Sequence, residues 1–276
     1  MPPSAKPRRP RLSDKETEQR TLRAAMDLVH DTGLTVSLKH LSLEKVIREA
    51  GVARAAVYRR WPNKDEFFND LLLELAKGVE PAELGEVFSR VPARELAAEL
   101  APLADTARGR WEIAVEIVRR SNDFDGARGS RAWRTYLALH ATFLSLDDGP
   151  LRERVREALA RSEEGFIRRI ADSYRFFCGV LGIRIKPEAG LDFDDLATMA
   201  SSAFRGVLLM APTVPALAET VPDSDPLGAG RRRWRLEGLA LAGMVGMCLE
   251  ADPDVEWTEE RVEQARAALA GDPGQA

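Results

Sequence analysis

LSLEKVIREAGVARAAVYRRWPNK, residues 41–64, is the stretch that decides the fold of this chain. Its first half reads as a short amphipathic helix. Ser42 supplies an N-cap, because its side-chain oxygen can accept from a free N–H of the first turn. Leu43, Val46, Ile47 and Ala50 recur at helical spacing and share one face. Gly51 stops the helix, since glycine enters the left-handed region without a Cβ clash. A second short helix follows at residues 54–61, and Pro62 forbids its simple continuation. Two short helices across a tight glycine-containing turn form the helix-turn-helix pattern, whose second helix enters a DNA major groove.

The second helix carries two kinds of residue. Val57 and Trp61, four apart, reach the core together, while Arg54, Ala55, Tyr58 and Arg59 cover the remaining surface. A small residue such as Ala55 lets the backbone approach base edges. Arginine grips a base edge or a phosphate with two prongs, and a tyrosine hydroxyl donates to phosphate. Lys64, just past Pro62, is placed to touch the DNA backbone. A solvated surface helix can hold the same arginines; the turn before this one and the proline after it set it apart. Charge agrees. Residues 1–64 hold 14 Lys and Arg against 7 Asp and Glu, a formal +7 in a chain of −4, so residues 65–276 carry −11. A basic module on an acidic body attracts phosphate at one end only.

With these residues in view, the run from Leu43 to Phe68 resembles the DNA-binding domain of the TetR family of transcriptional regulators. AGV at 50–52, VYRRW at 57–61 and PNKDEFF at 62–68 follow that family's pattern, and the likeness extends over roughly residues 12–75. The resemblance implies an all-α fold: an N-terminal three-helix helix-turn-helix domain, then a larger helical ligand-binding and dimerisation domain. It also implies that Tyr58 and Lys64 contact phosphate, that Arg54, Ala55 and Arg59 face the major groove, and that Trp61 is the aromatic core residue. The chain departs from the pattern at two places. Ala53 stands where Ser or Thr is usual, which weakens the helix cap by about 1 kcal/mol. Ala56 stands where Thr is common, which removes a hydroxyl that could reach phosphate.

Taken in order, residues 1–12 read as a flexible basic arm. Lys6, Arg8, Arg9 and Arg11 either rest on phosphates or enter a minor groove, or else form a tail without defined contacts. The helix-turn-helix domain spans 13–62. Its first helix starts at Ser13 or Asp14, with Ser13 and Glu16 at capping-box spacing and Leu22, Ala25, Met26 and Val29 as the buried stripe. Residues 34–41 form a connector. A linking helix over 63–80 begins at Asn63, with Glu66 at capping-box distance, and buries Phe67, Leu71, Leu72 and Leu75. Residues 81–276 form the helical effector-binding and dimerisation domain, with helices expected at 92–104, 106–122, 128–145, 150–180, 191–211, 231–250 and 258–270. Asn122, Asp123, Gly126 and Gly129 mark a loop. Residues 212–230, with four prolines and two glycines, read as a long loop. Strand-like alternation is absent at any convincing length.

The middle helices hold Trp111, Trp133, Tyr136, His140, Phe143, Tyr174 and Phe177, which either line an effector pocket or fill a packed core. The apolar helices on either side of 212–230 offer Phe204, Val207, Leu208, Leu239, Val245 and Leu249 as a homodimer interface, where the resemblance also puts it. An enzyme is disfavoured: the three histidines His30, His40 and His140 belong to no HExxH, and GxSxG, GxGxxG and phosphate-loop motifs are absent. Asp123 and Asp125, and Asp192, Asp194 and Asp195, sit at loops or helix starts, where capping explains them. Cys178 and Cys248 fit no metal spacing, which suits buried reduced thiols in the cytoplasm. No catalytic residue, metal or cofactor is expected. The expected partners are an operator duplex, a small-molecule effector and a second copy of the chain, with no membrane. The main alternative is a helical interaction protein whose degenerate reader no longer binds DNA.

Overall fold

The computed structural model describes residues 13–32, 41–78, 107–120, 124–219 and 221–270. The expected basic arm, most of the connector, His40, Asn122, Asp123 and the helix at 92–104 lie outside them. The described residues form α1 (Asp14–Thr32), α2 (Leu43–Ala50), α3 (Arg54–Arg60), α4 (Lys64–Gly78), α5 (Ala107–Arg120) and α6 (Phe124–Gly129). Then follow α7 (Arg131–Leu144), α8 (Pro150–Leu181), β1 (Ile183–Ile185), α9 (Phe193–Met210), α10 (Ala216–Glu219) and β2 (Asp223–Ser224). The last described elements are β3 (Arg232–Arg233), α11 (Leu236–Cys248), β4 (Leu249–Ala251) and α12 (Glu259–Ala270). The fold is all-α, with an N-terminal helix-turn-helix and a larger helical remainder, and the strands are local ties.

Contacts divide the chain into two compact units. Residues 1–80 join 131–162 in the first, and 81–130 join 163–276 in the second. The first unit is therefore not a plain N-terminal segment. Its core gathers Leu22, Ala25 and Val29 of α1, Leu43, Val46 and Ile47 of α2, and Val57 and Trp61. It adds Phe67, Leu71, Leu72 and Leu75 of α4, and it is completed by Leu139, Val155, Ala158 and Leu159 from α7 and α8. None of the short helices is stable alone, so this shared burial is what holds them. The start signals read from sequence are present. Glu16 N–H donates to Ser13 Oγ at 3.2 Å while Glu16 Oε2 accepts from Ser13 N–H at 2.8 Å. Glu66 N–H donates to Asn63 Oδ1 at 2.9 Å at the head of α4.

The second unit packs α9 against α11 and α11 against α5, around Ile113, Ile117, Leu181, Leu196, Leu241, Val245 and Cys248. Asp192 and Asp195 exchange the two bonds of a capping box at the start of α9, so these carboxylates do the capping expected of them. A carboxylate knot lies beside the core. Glu116, 6% exposed, accepts from Arg119 at 2.7 Å and pairs with Arg120 at 3.1 Å and Arg232 at 2.7 Å. Burial pushes its carboxyl up, but the Arg119 bonds, with Arg232 and Arg120, hold it below the ordinary carboxylate range.

Three expectations need correction here. Residues 124–129 form α6 rather than a loop, because Phe124 and Ala127 bury one side and outweigh the two glycines. The stretch 212–230 is not structureless: it holds α10 and β2, and β2 pairs antiparallel with β3. Arg231 bonds the Asp223 carbonyl at 2.7 Å, and Arg235 reaches Asp125 at 2.6 Å, so arginines fasten this segment. The helix expected over 231–250 is trimmed at both ends to Leu236–Cys248, and β4 pairs with β1 in the register Ile183↔Ala251, Arg184↔Glu250, Ile185↔Leu249. Gly182 leads into β1 at φ +58, and a Cβ there would stand 2.8 Å from Val255 Cγ1.

Candidate nucleic-acid interface

The geometry of α3 follows from its ends. Ser42 Oγ accepts from Lys45 N–H at 3.4 Å to start α2, and Gly51, at φ 63, closes it with its N–H on the Arg48 carbonyl at 3.2 Å. The chain then re-enters a helix at Ala53, which makes no side-chain cap bond. Val57 and Trp61 are fully buried. Trp61 meets Phe67 edge-on at 5.2 Å and donates from Nε1 to Asp70 Oδ2 at 2.9 Å. That anchor fixes the roll of a seven-residue helix and leaves its opposite side to solvent.

Arg54, Ala55, Tyr58 and Arg59 are all exposed on that side, and Lys64 is exposed at the head of α4. The Arg54 and Arg59 side chains are 69% and 57% accessible. These five are the residues expected to meet DNA; four lie on α3 and the fifth opens α4. Arg60 differs. It binds Glu18 through Nε at 2.9 Å and Nη2 at 3.0 Å, and Asp70 at 2.8 Å, so it ties α3 to α1 and α4. Its guanidinium is held above its ordinary value, chiefly by the Glu18 bonds.

Two acidic residues that the sequence reading did not assign to this face bond its side chains. Glu44 Oε1 accepts from Tyr58 Oη at 2.9 Å and from Arg54 Nη2 at 2.9 Å. Arg54 also lies over the Tyr58 ring, 5.4 Å from its centroid. Asp14 Oδ1 accepts from Arg59 Nη2. Lys64 Nζ sits 4.9 Å from the Phe68 ring centroid. A short basic helix with a small residue, a hydroxyl and two forked cations facing outward can lie in a groove and grip phosphate and base edges.

Residues 22–71 match the family described as bacterial regulatory proteins, tetR family. This module belongs to the tetR family. The match spans α2, α3 and the turn between them. It marks residues 22–71 as a DNA-binding module of the kind found in bacterial regulatory proteins. Solved structures with similar chains include a SmeT–triclosan complex, at 19% identity over 88% of this chain and 96% of that one, with a TM-score of 0.39. Another is NalD, the secondary repressor of the MexAB-OprM multidrug efflux pump in Pseudomonas aeruginosa, at 22% identity over 86% and 99%, with a TM-score of 0.34. A TetR-family transcriptional regulator from Vibrio parahaemolyticus matches at 18% identity over 85% and 99%, with a TM-score of 0.33. A search of curated proteins finds no match.

The aromatic residues expected to line a pocket fall into both units of the fold. Trp133, Tyr136 and His140 form a ladder on α7 in the first unit, with centroids 5.3 Å and 4.5 Å apart, and Phe143 takes Arg152 over its ring at 4.7 Å. Trp111, Tyr174 and Phe177 pack beside the core of the second unit, with Trp111 Nε1 donating to the Leu227 carbonyl at 2.9 Å. Cys178 and Cys248 are free and buried, and burial pushes the Cys178 thiol up to about 12, which leaves it inert. Among the described residues no cluster of His, Cys, Asp and Glu is set to hold a metal, and no helix is long and apolar enough to cross a membrane.

Of the residues expected at a dimer interface, Phe204, Leu208, Val245 and Leu249 are buried inside the chain's own core, at 2%, 4%, 4% and 8% exposure. Within the single chain these four side chains pack into its own core. Val207 and Leu239 remain partly exposed. The open apolar side chains at the ends of the same two helices are Leu209, Met210 and Met247.

Proposed function

We propose that this protein is a ligand-responsive repressor that binds a near-palindromic operator as a homodimer and leaves it when a small molecule binds. The observation that carries this reading is the outward face of α3, with Arg54, Ala55, Tyr58 and Arg59 exposed while Val57 and Trp61 anchor the helix from behind. Two such helices related by a two-fold axis meet successive major grooves when they stand ~34–36 Å apart. Pairing of two chains is supported by Leu209, Met210 and Met247, exposed at the ends of α9 and α11. Gly243 has nothing near the place a Cβ would take, so another backbone has room to approach α11.

Response to an effector requires that the ligand favour one arrangement of the reader heads over another. The linking helix, α4, contributes Leu71, Leu72 and Leu75 to the reader's core, so a shift of α4 would carry the reader with it. The single helix α8 enters both units, with residues 150–162 in the first and 163–181 in the second, and is a second route. Trp111 of α5 with Tyr174 and Phe177 of α8, all in the second unit, suits an effector with a largely apolar body.

The test is selection of duplexes from a random library by the full chain, followed by titration across salt. The selected site should be two-fold symmetric. Tyr58→Ala and Lys64→Ala should weaken every duplex to a similar extent, and the lysine variant should lower the salt slope by about 0.9. Arg59→Ala should change the order of preferred sites. Recovery of no preferred duplex would defeat the proposal.

A further inference from the structure

We infer that Glu44 is a specificity residue of the reader: its carboxylate, by holding Arg54 and Tyr58, penalises phosphate-only binding more than binding to a base-read site. The inference rests on the DNA-binding reading above and adds a residue to it. Glu44 lies in the first turn of α2, half exposed, and a single oxygen takes both the Arg54 guanidinium and the Tyr58 hydroxyl at 2.9 Å. Those are two of the groups placed to meet DNA. A carboxylate among them sits where phosphate must come.

An exposed ion pair is weak, so the contact does not lock the reader shut. It sets an exchange instead. On a random duplex the available contacts are to phosphate, and binding there follows the number of phosphates neutralised. To use Arg54 and Tyr58 on that surface, phosphate must displace Glu44, and the freed carboxylate stays beside the phosphates and repels them. At a base-read site the competition differs. A guanidinium has five donors in a planar fork, and the Glu44 pair uses Nη2. The other donors stay open to the O6 and N7 of a guanine, which carry no net charge, and the carboxylate then steadies the plane of the fork. Asp14 stands in the same relation to Arg59 and gives the second outward arginine a similar partner. Discrimination thus comes in part from a repulsive group built into the face.

The variant to test is Glu44→Gln, which keeps the shape and an oxygen for Tyr58 but removes the charge. Full-length protein is titrated by fluorescence anisotropy with a random-sequence duplex and with a duplex recovered by selection, from about 50 to 200 mM salt. The random duplex should bind roughly threefold to tenfold tighter, with a log–log salt slope steeper by about 0.9, and the selected duplex should gain less. In an Arg54→Ala background the gain on the random duplex should shrink by half or more, as it must if Glu44 acts through Arg54. Unchanged binding and slope on the random duplex, or equal gains on both duplexes, overturn the inference. A wild-type protein that prefers no duplex overturns the DNA-reading proposal beneath it, whereas a selective wild type with an unresponsive variant overturns the role of Glu44 alone.

Discussion

Ala53→Ser should stabilise the reader, by an amount that can be worked from the helix start. Ala53 has extended backbone, φ −73 and ψ 125, and makes no side-chain cap bond to a helix of only seven residues. It is exposed, so an added hydroxyl meets no packing. A serine oxygen at that place can accept from a free N–H of the first turn, as Ser42 does eleven residues earlier from Lys45. Replacing alanine by a capping residue contributes about 1 kcal/mol. That corresponds to roughly 4 °C in the unfolding midpoint of a unit this size, and to about a fivefold rise in exchange protection of the α3 amides. The assay is hydrogen exchange followed by mass spectrometry on the full chain, with thermal unfolding beside it. Ser42→Ala should move α2 in the opposite direction by a similar or smaller amount, since its cap bond is long at 3.4 Å. No gain of protection in α3, or an equal gain spread over α2, would refute the view that the missing hydroxyl weakens this start.

Glu116→Gln leaves Arg119, Arg120 and Arg232 around a neutral amide and should cost about 1–3 kcal/mol at neutral pH. Because the folded carboxyl is held below its ordinary range, its contribution is complete above that range and is lost as pH falls through the lowered folded value. Unfolding midpoints of wild type and variant should therefore converge on acidification, and a constant gap would exclude the ionised knot as the cause. Gly182→Ala forces φ +58 on a residue with a Cβ and places that atom 2.8 Å from Val255, so a loss of about 1–3 kcal/mol is expected in thermal unfolding; a neutral variant would mean that the Val255 segment yields.

The reader was largely legible in the sequence because its signals are local. Ser42, Gly51 and Asn63 bound helices by chemistry that acts within three or four residues, and Val57 with Trp61 marks the inner face by spacing alone. The acidic partners of that face were not legible. Glu44 lies ten residues from Arg54, and Asp14 lies forty-five from Arg59, so neither pair belongs to one helix or one period. The same limit hid the strands β1 and β4, three residues each, whose pairing depends on the end of α8 meeting the end of α11. Phe204 and Val245 show the reverse difficulty: an apolar face predicts burial correctly but does not say whether the cover comes from the same chain.

Completion of the first unit by residues 131–162 bears on how the protein could be cut and recombined. A fragment ending near residue 80 would lose Leu139, Val155, Ala158 and Leu159 and uncover the apolar core they complete. Such a piece would be sticky and poorly folded even with every DNA-facing side chain intact. Grafts that exchange sensor bodies between regulators would therefore need to retain α7 and the opening turns of α8 with the head, and place the junction further along that helix.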